Sequence, residues 1–134
     1  MRFLKSLVLV IIILMSIWFV NTNLTYGKFT IEEIRREYKG EIIDIYSSRK
    51  NVTPTFLEIK TKNDIIDVSV NNNVIDYSSI GDSIFKIKNE NIITVKNKMM
   101  EEKSFYLFQI SEKLRNHRNF PKEWKKKWMV PLNN

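Results

Sequence analysis

Residues 56–70 read FLEIKTKNDIIDVSV. Leu57 and Ile59 alternate with Glu58 and Lys60, and Ile66, Val68 and Val70 alternate with Asp67 and Ser69. Between them Asn63-Asp64 accepts the tight or left-handed backbone that a turn requires. A period of two on both sides of such a turn predicts a β-hairpin. Working outward, Glu41–Ser47 (EIIDIYS), Ser83–Lys88 (SIFKIK) and Ile92–Lys96 (IITVK) have the same character. Alternation nominates Ile43 and Ile45, Phe85 and Ile87, and Ile93 and Val95 as their inward sets. Turn chemistry recurs at Asn71-Asn72-Asn73, Gly81-Asp82 and Asn89-Glu90-Asn91, and Pro54 marks residues 48–55 as a loop because it cannot donate in a ladder. Lys103–Ile110 (KSFYLFQI) reads as a sixth strand, although Leu107, Ile110 and Leu114 also fit one helix face. Short antiparallel strands leave edges that a small barrel would close. The expected class is therefore mainly β (α+β), a five- or six-stranded OB-like or SH3-like barrel over residues 40–118, with an open meander as the alternative.

Upstream, Thr30-Ile31-Glu32-Glu33 has capping-box spacing, and Ile31, Ile34 and Tyr38 recur at i, i+3 and i+7. Residues 24–39 are thus expected to hold a linker and a short amphipathic helix stopped by Gly40. Residues 1–23 are of another kind. Arg2 and Lys5 precede a run from Leu7 to Val20, Leu7, Ile12, Ile17 and Val20 among it, in which Ser16 alone is not strongly apolar. That is the layout of a signal peptide or signal anchor. At 1.5 Å per residue the run covers about 21 Å, short of a roughly 30 Å hydrocarbon core, which favours a signal peptide. No small-x-small pair follows it for a peptidase, which favours retention, with Phe3, Leu4, Leu24 and Tyr26 extending the span. Cations before the run (Arg2, Lys5) and soon after it (Lys28, Arg35, Arg36, Lys39) are nearly balanced. A short basic tail next to the run is expected to stay inside, which puts the rest of the chain outside the cytoplasm, with a cytoplasmic domain as the alternative. A buried core helix is the remaining reading of the same run.

The net charge is +7, no cysteine is present, and no alanine occurs. Lack of cysteine excludes a disulfide framework, a thiol nucleophile and a cysteine zinc site. Between Lys113 and Trp128 seven cations (Lys113, Arg115, Arg118, Lys122, Lys125, Lys126, Lys127) face only Glu123. Pro121 suits a helical first turn, after which Phe120, Trp124 and Trp128 share a face and Pro131 ends the element. Residues 119–134 are therefore expected to be a short basic helix. Lys122, Trp124, Lys125, Lys126, Lys127 and Trp128 are the residues placed to touch anionic lipid headgroups. Nucleic-acid phosphates, with Tyr46 as a stacking surface, and simple docking of the aromatics onto the barrel are the competing readings.

The motifs YKGEIIDIY, TFLEIK and YSSIGDSIFK, within residues 38–98, resemble small uncharacterised exported or membrane-anchored bacterial proteins whose OB-like β-domains carry a Gly-Asp-Ser turn before a strand. The resemblance implies that architecture and carries no activity or site residue with it.

Catalytic, cofactor and metal residues are not nominated. His117, the one histidine, sits between cations and reads as a solvated tail residue. Gly81-Asp82-Ser83 superficially matches a serine-hydrolase motif but precedes a strand, so a turn with Gly81 at positive φ and Asp82 bonding nearby backbone is favoured. Asp44, Asp64, Asp67, Asp76 and Asp82 lack calcium-loop spacing. The reading that results is a non-enzymatic binding or structural module of the bacterial envelope, anchored in the membrane or exported. Membrane, an envelope protein or lipid headgroups are its expected partners. An exported enzyme, or a cytoplasmic nucleic-acid binder, is the alternative.

Overall fold

In the computed structural model, residues 2–129 are described. A long helix α1 (Arg2–Thr25) leads into a short helix α2 (Lys28–Arg35), and a sheet follows. Its strands are β1 (Tyr38–Tyr46), β2 (Phe56–Thr61), β3 (Ile65–Ser69), β4 (Ser83–Lys86), β5 (Ile92–Lys96) and β6 (Glu102–Tyr106). Helix α3 (Asn72–Tyr77) connects β3 to β4, and α4 (Glu112–Asn116) with a 3-10 turn (Lys122–Trp124) follows β6. The six strands lie in the order β3-β2-β1-β4-β5-β6, and all pairs are antiparallel. The expected hairpin at residues 56–70 is there, with Leu57 opposite Val68 and Ile59 opposite Ile66.

The mainly β (α+β) class with six antiparallel strands is as expected, and the sheet stays open where a closed OB-like or SH3-like barrel would join its edges. No ladder joins β3 to β6. One side chain spans the gap at a corner instead. Asn71 Nδ2, just past β3, donates to the carbonyls of Tyr106 (2.6 Å) and Leu107 (3.3 Å) at the end of β6. Its Oδ1 accepts from Val74 N and caps α3. Residues 71–73, expected as a plain turn, thus begin a helix whose Val74 enters the core and whose Tyr77 ring lies 5.6 Å from that of Phe105.

Two inward sets are out of phase with the sequence expectation. In β1 the buried residue is Ile42, not Ile43, because the register shifts between Ile42 and Asp44. That bulge inserts Ile43 and resets the alternation, so that Ile45 packs on the same core three residues later. In β4 Ile84 and Lys86 point inward, whereas Ile87 is exposed. A lysine on the inward phase disguised that strand.

Gly40 lies inside β1 and does not stop a helix; α2 ends at Arg35. Paired on both sides, with Thr61 and with Ile84, it has no room for a side chain: a Cβ there would run into the Lys60 carbonyl and Ile59 Cγ2. The capping box is also absent, since Gly27 is the N-cap of α2 and no side chain caps it. The Gly81-Asp82 turn is as expected, with φ 93° at Gly81 and Ser79 N donating to Asp82 Oδ2 at 2.8 Å.

We predict that Gly40→Ala lowers stability by ~1–3 kcal/mol, the cost of overpacking against backbone. Thermal unfolding of the full chain in detergent followed by circular dichroism measures it, and an unchanged midpoint would refute the close approach.

Candidate membrane-proximal site

Helix α1 has 24 residues, about 36 Å at 1.5 Å per residue, enough for a roughly 30 Å hydrocarbon layer. It is the one described helix long and apolar enough to cross a membrane or serve as a signal sequence. The four residues singled out from its apolar run are uncovered by protein: Leu7 is 48% exposed, Ile12 55%, Ile17 60% and Val20 54%. This corrects the buried-core-helix reading. Its polar side chains bond back onto the helix, Ser16 Oγ to Ile12 O and Thr22 Oγ1 to Trp18 O, each at 2.8 Å. Such back-bonding leaves no unpaired hydroxyl donor in an apolar surround.

A helix end leaves carbonyls without partners. At the end of α1, Asn119 Nδ2 donates to the carbonyls of Leu24 (3.0 Å), Tyr26 (3.1 Å) and Asn23 (3.4 Å). Gly27 turns the chain there with φ 71°, and a Cβ at that position would strike Leu114 Cδ1. Around this corner lies a second core of Ile31, Ile34, Leu114, Phe120 and Trp124, edged by Tyr26, Ile110 and Trp128. Phe108 packs against both this core and the sheet's.

The end of α2 is capped from the sheet. Lys86, 2% exposed, donates from Nζ to Ile34 O (2.6 Å), Arg36 O (2.8 Å) and Ile87 O (3.2 Å). All three ammonium protons are thereby used. Burial nevertheless pushes its pKa down to about 8, against the nearby Glu33 charge, which raises it. Arg36 Nη1 meets Glu33 Oε1 at 2.7 Å. Glu33 Oε2 and the Tyr38 hydroxyl are buried without a hydrogen-bond partner among the described residues. Burial, followed by the Glu33 charge, holds the Tyr38 phenol well above its ordinary range.

The basic tail is not a continuous helix. Its regular part is one 3-10 turn, and Trp128 adopts φ 54°, which interrupts any helical face. Pro131, expected to end that helix, lies outside the described residues. Trp124 is 4% exposed. Its ring lies 6.1 Å from Phe120, 5.6 Å from Trp128 and 6.0 Å from the Arg35 guanidinium. The aromatics therefore dock onto the folded domain, as the docking reading of the tail has it, with α2 as the surface that receives them. Arg115 holds the segment, donating to the carbonyls of Lys127 (2.6 Å), Trp128 (2.9 Å) and Lys125 (3.0 Å). Glu90 takes Lys127 Nζ at 2.9 Å and Trp128 Nε1 at 3.3 Å. Lys122, Lys125 and Lys126 remain exposed.

His117 is packed, not merely solvated: its ring stands 4.9 Å from Tyr26 and its Nδ1 accepts from Asn119 N. Among the described residues no group of three His, Cys, Asp or Glu is placed to hold a metal ion. Tyr46 is occupied as well, stacked on Phe56 at 5.5 Å and donating to Asp67 Oδ1 at 2.8 Å. That hydrogen bond raises the phenol's pKa, with Asp44 and Glu58 adding to it.

No protein-family model matches the chain, and no curated protein or solved structure matches it.

For Lys86 the shift has a definite sign. Its folded pKa lies below the unfolded one, so between about pH 8 and 10.5 the unfolded state binds more protons and stability rises with pH; below about pH 8 the cost of the buried charge is present in full. Relative to Lys86→Met, the wild type should gain stability across that window in urea unfolding of the detergent-solubilised chain. At pH 7 the variant should be ~1–3 kcal/mol less stable, since two helix-end carbonyls lose their donor. A flat difference would contradict the burial of the ammonium.

Proposed function

We propose that this chain is a single-pass membrane protein whose β-domain is held against the bilayer on the extracytoplasmic side, serving as a non-enzymatic binding or structural module of the envelope. The observation that carries the reading is a contrast within α1. Its flank is apolar and uncovered, while its end is capped by the folded domain through Asn119. A helix joined to its domain in that way suits a retained anchor better than a discarded signal peptide. Cleavage near Asn23 would remove part of the carbonyl set that Asn119 binds, and the sequence there has no small-x-small pair.

Orientation rests on the short basic stretch before the apolar run, which favours an inside N-terminus. A nucleic-acid role draws no support from Tyr46, whose ring and hydroxyl are engaged and whose neighbours Asp44, Glu58 and Asp67 would repel phosphates.

With an epitope tag after Asn134, protease added to intact spheroplasts should remove the tag while leaving a membrane-bound N-terminal fragment. A full-length, protected tag would overturn the topology.

A further inference from the structure

Beside the end of the apolar run, α1 and the end of α4 with its following loop border an open recess of about 430 Å³ lined by Phe19, Val20, Asn23, Asn116, His117 and Arg118. Its lining is two-sided. Phe19 and Val20 are the last apolar residues of the run, so for an anchored chain the recess lies where hydrocarbon gives way to headgroups. Asn23 continues the same helix wall one turn on, and the other wall brings the Asn116 amide, the His117 imidazole and the Arg118 guanidinium. Arg118 is exposed and has no ion pair among the described residues. The Lys113 ammonium stands nearby, 5.0 Å over the Tyr26 ring that in turn packs on His117. Glu112 is the only acid between Ile110 and Asn119.

We propose that this recess seats an anionic membrane phospholipid, its phosphate on Arg118 and its acyl chain along Phe19 and Val20. The inference rests on the anchoring reading and adds a specific lipid contact to it. Two features favour a lipid. The apolar wall is continuous with the segment that enters the bilayer, so the ligand must be amphipathic and arrive from the membrane. A planar guanidinium free of protein carboxylates is the group best suited to grip a phosphate through two parallel hydrogen bonds. The contact lies apart from the cationic tail, where Lys127 is already held by Glu90 and the 125–128 backbone by Arg115.

The test uses the full chain in phosphatidylcholine vesicles carrying trace spin-labelled phosphatidylglycerol or phosphatidylcholine, with the motionally restricted fraction read by electron paramagnetic resonance. The wild type should select phosphatidylglycerol by about fivefold, the worth of one well-placed cation at an anionic surface. Arg118→Gln should bring selectivity close to parity. Arg118→Lys should keep part of it, and the double variant Lys125→Gln, Lys126→Gln should keep it all. Selectivity that survives Arg118→Gln, or that falls with the tail variant instead, overturns the site. Displacement of the labelled lipid by inorganic phosphate would assign the recess to a soluble anion and overturn it equally. Wild-type chain that fails to float with the vesicles defeats the anchoring reading itself, whereas chain that floats without selectivity defeats the recess alone.

Discussion

Carbonyl groups left over at helix ends are the constraint around which this molecule is organised. Helix α1 emerges from its apolar run with Asn23, Leu24 and Tyr26 carbonyls to satisfy, and α2 ends with those of Ile34 and Arg36. Neither set is met by local capping. Asn119 comes from more than ninety residues downstream for the first, and Lys86 from about fifty for the second. A buried carbonyl without a donor costs about 1–3 kcal/mol, so Lys86 ties the sheet to α2, while Asn119 ties the segment after α4 to the more open end of α1. With Leu114 set against Gly27 and Trp124 packed with Ile31 and Ile34, α2 and the tail share one core, which Phe108 joins to that of the sheet.

The same use of side chains in place of backbone partners recurs in the sheet. Asn71 reaches across the open corner to β6, and Asn91, fully buried, exchanges two hydrogen bonds with the Phe108 backbone as a strand neighbour would. An open six-stranded sheet leaves two edges, and unpaired edges invite association. Here α3 packs on β6 through Tyr77 and Phe105, with the Lys103 ammonium 5.5 Å from the Phe105 ring centroid. Asn71 and Asn91 thus hold places where the ladder stops.

What could be read from sequence follows from how local each feature is. The hairpin at residues 56–70 and β5 announce themselves, because alternation and turn residues act over a few positions. The apolar character of residues 7–20 is equally plain. Closure of the sheet was not legible, since it depends on whether distant edges meet. The inward face of β4 is hidden in the sequence because its buried lysine looks like a solvent residue until the α2 carbonyls are brought to it. In β1 a single bulge puts Ile42 inward in place of Ile43 and leaves Ile45 on the expected face. The tail aromatics were recognised as a set, but Trp128 at positive φ shows that their spacing does not come from a helix. Asn119, His117 and Arg118 carried no signal of their own, as their importance comes from where Gly27 turns the chain.

Gly27, Leu114 and Asn119 form the corner where the long apolar helix meets the folded domain, and contacts there should hold the two at one angle. A chain without cysteine allows two to be introduced cleanly, at Met15 on the exposed flank of α1 and at exposed Lys62 in the β2–β3 turn. With nitroxides on both, double electron–electron resonance of the full-length protein in lipid nanodiscs should give one narrow distance distribution that broadens in the Asn119→Ala background. A broad or multimodal distribution in the otherwise unaltered chain would mean that the helix is a flexible tether, and would contradict this account.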